Sequence, residues 1–294
     1  MAIFTGAGVA IVTPFHQNGE VNYDKLGELI DFQVENGTDS IIIVGTTGES
    51  STLTHEEHIE CIRYAVQKTA KRIPVIAGTG SNCTETAVYL TKEAQDAGAD
   101  AALLVTPYYN KATQKGLIGH FGQIAKSTDL PLLLYNIPGR TGCNILPATA
   151  AALVKEYDNI VGIKDATGNI PQTMETLELC QGDVDIYSGE DGLITPLLSI
   201  GAKGVISVLS NIAPRETHDI VAKYLVGDVQ GSLALQMKYL PLIRALFSEV
   251  NPIPVKQALN FMGMEAGPTR MPLSEMEPEH AEVLRREMQK VGLL

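Results

Sequence analysis

The chain has 294 residues, 45% of them hydrophobic and 19% charged, which is enough apolar side chain for one large domain or two smaller ones. A formal net charge of −12 argues against nucleic acid or an anionic membrane surface as a main partner, so an anionic substrate must be met by a local positive site. Four scattered cysteines, Cys61, Cys83, Cys143 and Cys180, form no Cys-x-x-Cys pair and suit a reduced compartment better than a disulfide framework or a zinc ribbon.

In chain order, Met1-Ala2-Ile3-Phe4-Thr5 carries no basic stretch, and no later apolar run approaches ~18 residues, so a cytoplasmic protein without membrane contact is expected. Apolar runs of strand length then recur at residues 9–12, 40–44, 74–77, 101–105, 132–135, 160–164, 185–188 and 205–208, their starts 20 to 34 residues apart. That spacing accommodates a strand, a loop, a helix and a second loop. The runs are apolar throughout instead of alternating, as parallel strands covered on both faces require. Between them, residues 24–36 place Leu26, Leu29, Ile30 and Gln33 on one side and stop at Gly37. Thr54-His55-Glu56-Glu57 has the form of a capping box, followed by Ile59, Ile62, Ala65 and Val66 at helical spacing. A further helix over 87–98 ends at Gly98.

Eight such units predict an α/β fold of the (β/α)8 TIM-barrel type. The rival, a doubly wound open sheet, usually has fewer strands and often a Gly-x-Gly-x-x-Gly turn after its first strand; here Thr5-Gly6-Ala7-Gly8 precedes that strand. Beyond residue 226 there is no strand signal. Residues 232–247, interrupted by Pro241, 254–262 and 278–291 read as three helices, with Pro254 and Pro278 as first-turn prolines. The expected division is a catalytic barrel over 1–226 and a C-terminal helical extension over 227–294.

Polar residues gather just after the strands, the rim where barrel enzymes build their sites. The sixth strand delivers Lys164 at the end of Ile160-Val161-Gly162-Ile163. A lysine there either snorkels to solvent or is buried and held neutral, and a neutral amine in a pocket is a nucleophile toward ketones. Gly162 points the same way as Lys164, which is expected to leave room for a small ligand beside the amine. Imine chemistry also needs a proton shuttle, for which Tyr135, oriented by a hydroxyl such as Thr46, is placed at the end of the neighbouring strand. A carboxylate could be received by the Gly45-Thr46-Thr47-Gly48 turn. Each feature has a bland alternative: Tyr135 a core-edge aromatic, the Gly-Thr-Thr-Gly run an ordinary tight turn.

Four segments together, Gly45-Thr46-Thr47-Gly48-Glu49, Pro107-Tyr108-Tyr109-Asn110, Tyr135-Asn136-Ile137-Pro138-Gly139-Arg140-Thr141 and Gly162-Ile163-Lys164-Asp165-Ala166-Thr167-Gly168, closely resemble the dihydrodipicolinate synthase family over essentially the whole chain. The lysine and tyrosine motifs are shared with other pyruvate-dependent aldolases, including N-acetylneuraminate lyases; the Arg140 position points to the synthases. The resemblance implies a homotetramer, a dimer of dimers, that condenses pyruvate with L-aspartate-4-semialdehyde on the way to diaminopimelate and lysine. It implies Lys164 as Schiff-base residue and Tyr135 as proton shuttle, relayed through Thr46 to Tyr109, which reaches into a neighbouring subunit's site. Thr47 and the Ile206 backbone would hold pyruvate, Arg140 would meet the semialdehyde carboxylate, and Gly189 would line the pocket. No cofactor and no metal is implied, because the lysine itself serves as the electron sink.

The resemblance also matches Ser50, Ser51, His55, His58, Asn82 and Tyr108 to a regulatory lysine site across a dimer interface in feedback-inhibited relatives. One departure is that the acidic residue expected four positions after Asn82 is Thr86, with Glu85 one step earlier. On a helix that step turns a side chain by roughly 100°, so weak or absent inhibition by lysine is an open alternative. Two other classes compete with this reading. A metal-dependent aldolase needs converging ligands, whereas of the six histidines, His16, His55, His58, His120, His218 and His280, only His55 and His58 are near one another. A catalytically silent binding barrel is disfavoured by the joint presence of Lys164, Tyr135, Thr46, Tyr109 and Arg140.

Overall fold

The computed structural model describes residues 2–294. Eight parallel strands close into a barrel in chain order: β1 (Gly6–Ala10), β2 (Ser40–Ile43), β3 (Val75–Gly78), β4 (Ala101–Val105), β5 (Leu132–Asn136), β6 (Ile160–Asp165), β7 (Asp185–Ser188) and β8 (Gly204–Ser207). Helices α1 (Tyr23–Glu35), α2 (His55–Thr69), α3 (Thr84–Asp96) and α4 (Gln114–Ala125) follow the first four strands. The second half adds α5 (Pro138–Thr141), α6 (Pro147–Glu156), α7 (Ile170–Cys180), α8 (Ile194–Ser199) and α9 (Pro214–Leu225), and the chain ends in α10 (Val229–Leu246), α11 (Ile253–Phe261) and α12 (Pro278–Val291). No helix among the described residues is long and apolar enough to cross a membrane.

The (β/α)8 expectation is borne out, and strands four and seven begin and end where the apolar runs do. Strand one does not: it covers Gly6–Ala10 instead of residues 9–12. Its glycines are small because the interior is already full; a Cβ on Gly8 would stand 2.6 Å from Ile42 Cδ1 and 2.9 Å from Phe4 Cζ. At the other end Val12 leaves the ladder and donates its N–H to Asn211 Oδ1 at 3.1 Å. Helix α3 starts at Thr84, ahead of its expected start, because its first turn is polar and shows no apolar period. Helix α10 is continuous through Pro241, which has no N–H to give one turn back. The capping box at Thr54 forms: its side chain accepts from Glu57 N–H at 3.2 Å and Glu57 accepts from Thr54 N–H at 3.0 Å.

Strand alternation sorts the side chains. Ile41, Ile43, Leu132, Leu134 and Ile163 point outward and join the core between sheet and helices. Ile42, Leu133, Tyr135, Tyr187 and Ile206 belong to a separate cluster that fills the barrel. Phe4 and Tyr187 stack with ring centroids 4.5 Å apart, and the Tyr187 hydroxyl donates to Phe4 O at 2.8 Å, plugging the barrel beneath the catalytic rim. Tyr239, Leu246, Leu259 and Met288 of the C-terminal helices lie in the same core as Ile41 and Leu134, so these helices bury apolar faces against the barrel.

Candidate active site

Ladder register puts Tyr135 of β5, Lys164 of β6 and Tyr187 of β7 side by side, while Leu133 and Gly162 pair in the register below. Since alternate residues face inward, Tyr135 and Lys164 share one layer of the interior, and Lys164 Nζ stands 4.2 Å from the centroid of the Tyr135 ring. Lys164 is only 6% exposed, so it does not snorkel. Burial pushes its amine down to about 7; Asp191 pulls it up, and Arg140 pushes it further down. Burial raises the Tyr135 hydroxyl to about 12 against opposing influences from Arg140 and the neighbouring Thr46 hydroxyl.

Two glycines, Gly162 and Gly189, adjoin this layer in different ways. A Cβ on Gly162 would stand 3.1 Å from Leu133 Cγ and 3.3 Å from Asp185 O, so its missing side chain makes room for core packing one layer down, not for a ligand. Gly189 lies against the stem of the lysine: a Cβ there would lie 3.1 Å from Lys164 Cε and 2.7 Å from Ala166 Cβ. The Gly189 N–H donates to Asp165 O at 2.6 Å, locking the turn after β7 against β6. Ile206 sits inside the barrel next to this layer.

The Gly45–Gly48 turn is held from two sides. Thr13 Oγ1 donates to Gly48 O at 2.7 Å, and Asn251 Nδ2 donates to Thr47 Oγ1 at 2.9 Å. A Cβ on Gly48 would stand 3.0 Å from Val44 Cα, a backbone approach that requires glycine. Below it, Glu49 and Lys256 form an ion pair at 2.8 Å with side chains 0% and 2% exposed. Lys256 Nζ also donates to Thr13 O at 3.0 Å and Pro268 O at 2.6 Å, and Glu49 Oε2 accepts from Arg270 N–H at 2.9 Å. Arg140, on α5, is exposed at the rim and donates through Nη2 to Asn251 O at 3.1 Å. Asn251 thus touches both Thr47 and Arg140.

Of the expected catalytic residues, Lys164, Tyr135 and Thr46 converge. Tyr109 does not join them within one chain: its side chain is 89% exposed, and its φ of 73° turns it out of the loop after β4. Around the other six positions, His58 is buried with Nε2–H donating to Gly78 O at 2.7 Å, and burial lowers it to about 4, while Ser51 and His55 are exposed and Ser50, Asn82 and Tyr108 half-buried. Sequence reasoning missed Asn251 and Lys256, and gave Asp191, in the run Ser188-Gly189-Glu190-Asp191 after the seventh strand, a place on the rim without a role. The legible signal for Lys256 was a charge inside the apolar period Val255, Ala258, Leu259; Asn251, between helices, offered none.

Barrel and site define a lyase-type (β/α)8 protein with a buried, deprotonation-prone lysine at the end of strand six. The chain belongs to the dihydrodipicolinate synthetase family, whose model matches residues 3–291. It is 73% identical over 294 residues to the 4-hydroxy-tetrahydrodipicolinate synthase of Lachnoclostridium phytofermentans, covering 100% of both chains. Among solved structures, dihydrodipicolinate synthase from Aquifex aeolicus superposes with a TM-score of 0.97 at 46% identity, covering 99% of each chain. The enzyme from Cyanidioschyzon merolae with lysine bound superposes with a TM-score of 0.97 at 41% identity, covering 100% of each.

Proposed function

We propose that Lys164 forms a Schiff base with pyruvate and that the chain condenses it with L-aspartate-4-semialdehyde to 4-hydroxy-tetrahydrodipicolinate, the entry to diaminopimelate and lysine biosynthesis. The single observation that carries this is the Lys164 amine, 6% exposed and held at about 7, beside the Tyr135 ring. Near neutrality a large share of it is neutral and nucleophilic, at a cost of about 1.4 kcal/mol per pKa unit of depression. Tyr135 and Thr46 pass protons through the carbinolamine and enamine steps. Thr47 and the Ile206 backbone receive pyruvate, Gly189 leaves the space, and Arg140 offers the semialdehyde carboxylate two charge-assisted hydrogen bonds. Tyr109 completes the relay in a neighbouring subunit of a homotetramer, and residues 227–294 act as a helical extension that presents Asn251 to the rim. The working compartment is the cytoplasm.

The test is a coupled assay with both substrates, alongside borohydride trapping of pyruvate. One added three-carbon unit per chain, mapped to the peptide with Lys164, is expected, and label on another lysine overturns the assignment. Arg140→Ala should cost roughly 1.5–3 kcal/mol in use of the semialdehyde and little in imine formation. Cleavage of N-acetylneuraminate with no turnover of the semialdehyde would favour a lyase instead.

We propose a regulatory lysine site at Ser50, Ser51, His55, His58, Asn82 and Tyr108 on the strength of the family resemblance, and a relative solved with lysine bound supports lysine as a ligand of such a chain. In this chain Thr86 stands where an acidic contact is expected, with Glu85 one step earlier, so weak or absent inhibition is the alternative. Calorimetry with millimolar lysine decides, and no heat together with no change in rate removes the site.

A further inference from the structure

Two residues that lack glycine's freedom hold left-handed backbone on either side of the Gly45–Gly48 turn, Val44 at a φ of 47° and Glu49 at 54°. That region is uncommon for any side chain and least favourable for a β-branched one such as Val44. Both residues are buried, and such conformations persist only where the surroundings enforce them. The turn is closed by the Glu49 N–H donating to Thr46 O at 3.1 Å and the Ser50 N–H donating to Gly45 O at 3.3 Å. The pose of Glu49 therefore sets the pose of Thr46 and Thr47, which lie between the two strained residues.

What holds Glu49 comes from far along the chain. Its Oε1 accepts from Lys256 Nζ of α11 at 2.8 Å, and its Oε2 accepts from the Arg270 N–H at 2.9 Å. The same amine donates to Thr13 O at 3.0 Å, and the Thr13 hydroxyl donates to Gly48 O at 2.7 Å. Lys256 thus grips two consecutive residues of the turn, Glu49 directly and Gly48 through Thr13. The Arg270 guanidinium donates to Thr52 O at 2.8 Å and to Glu57 Oε2 at 2.7 Å, which ties the next stretch down to α2. A third bond from Lys256, to Pro268 O at 2.6 Å, leaves its amine no N–H for a substrate. Desolvation offsets most of the attraction within a buried ion pair, so fixed geometry is the larger return from this one. We infer that Lys256 is a positioning residue for pyruvate, holding the turn through Glu49 and Thr13 in the strained pose that presents Thr46 to Tyr135 and Thr47 to the substrate carboxylate. The inference rests on the Schiff-base reading, in which this turn receives pyruvate. Donors fixed in advance bind a carboxylate without having to be ordered by it.

Lys256→Met combined with Glu49→Gln breaks the grip from α11, leaves no unpaired charge and keeps an acceptor for the Arg270 N–H. Borohydride trapping over a series of pyruvate concentrations, read by intact mass, gives the half-saturating concentration apart from later steps. In the double variant it is expected to rise roughly 10–100-fold, the effect of losing well-placed hydrogen bonds to a charged group. The amount trapped at saturation should stay at one three-carbon unit per folded chain, since Lys164 stands on β6 and not on the turn. The KM for the semialdehyde should move much less, since Arg140 stands on α5. A merely structural role lowers the folded fraction and with it the plateau, leaving half-saturation in place. Half-saturation within about twofold of wild type in the folded variant therefore overturns the inference, as does an equal rise for both substrates. If the double variant fails to fold by circular dichroism, Thr13→Val replaces it, a change of similar shape that loses the hydroxyl bond to Gly48 O. Half-saturation should then rise roughly 3–10-fold, and an unmoved value overturns the inference. Wild-type protein that traps no pyruvate at any concentration overturns the Schiff-base reading, and with it this one, before either variant is compared.

Discussion

Lys164 Nζ lies 4.2 Å from the centre of the Tyr135 ring, the two side chains meeting because their residues pair directly across β5 and β6. The ring face favours the ammonium and burial the neutral amine; burial wins, and the amine sits at about 7. The sign for activity follows. Below about pH 7 the ammonium dominates and kcat/KM should fall about tenfold per pH unit, and above it the rate should level off until another group titrates. A limb near pH 10, the ordinary lysine range, would show that Lys164 is hydrated in the working enzyme.

Two glycines flanking the Lys164 layer make opposite predictions. Gly189→Ala places a methyl 3.1 Å from Lys164 Cε and 2.7 Å from Ala166 Cβ, so it must move the amine, and turnover should fall roughly 10²-fold with the fold intact. Gly162→Ala places a methyl 3.1 Å from Leu133 Cγ, away from the amine, and should cost about 1–3 kcal/mol of stability while kcat changes little. Kinetics and urea unfolding of the two variants separate the roles. Equal kinetic damage in both would return the ligand space to Gly162.

The pair also shows what the sequence could and could not disclose. Strand positions, barrel closure and the lysine at the end of β6 were legible because they depend on local apolar runs and period-two alternation, which survive in one dimension. That Gly162 serves core packing was not, since it meets Leu133 across the β5–β6 boundary, and the register that decides this is a property of the closed sheet. The same holds for Asn251, whose two contacts lie more than a hundred residues away at Thr47 and Arg140. Glu49 reads as part of the turn motif, yet it serves beneath that turn as the partner of Lys256.

That buried pair yields the stability prediction. Lys256 spends all three of its N–H donors on Glu49, Thr13 O and Pro268 O, and burial still lowers the amine to about 8. Lys256→Met leaves the Glu49 carboxylate buried and short of its counter-charge, which should cost about 3–5 kcal/mol. Adding Glu49→Gln removes the orphaned charge while keeping an acceptor for the Arg270 N–H, and should recover a large part of the loss. Urea midpoints of the wild type, the single and the double variant measure this. A double variant no more stable than Lys256→Met would place the cost in lost packing against Phe15, which lies 4.2 Å from the Lys256 amine.

The last prediction concerns Tyr109. Its side chain is 89% exposed at a φ of 73°, an uncommon conformation for a bulky residue, and its loop is tied down by Asn110 Nδ2 donating to Asn82 O at 2.9 Å. A tyrosine displayed on a fixed loop suits burial by another chain, since its ring supplies area and its hydroxyl a hydrogen bond. If that hydroxyl ends a neighbour's relay, each site draws Lys164 and Tyr135 from one chain and Tyr109 from another. Lys164→Ala and Tyr109→Phe should then each be impaired alone. Mixed under conditions of subunit exchange, they assemble hybrids in which one of the paired sites holds both wild-type residues, and activity should return toward the level set by the fraction of such sites. Mass spectrometry of the intact assembly verifies that exchange has occurred. Verified hybrids without recovery, or a monomer that sediments alone at full activity, would place the proton relay wholly within one chain.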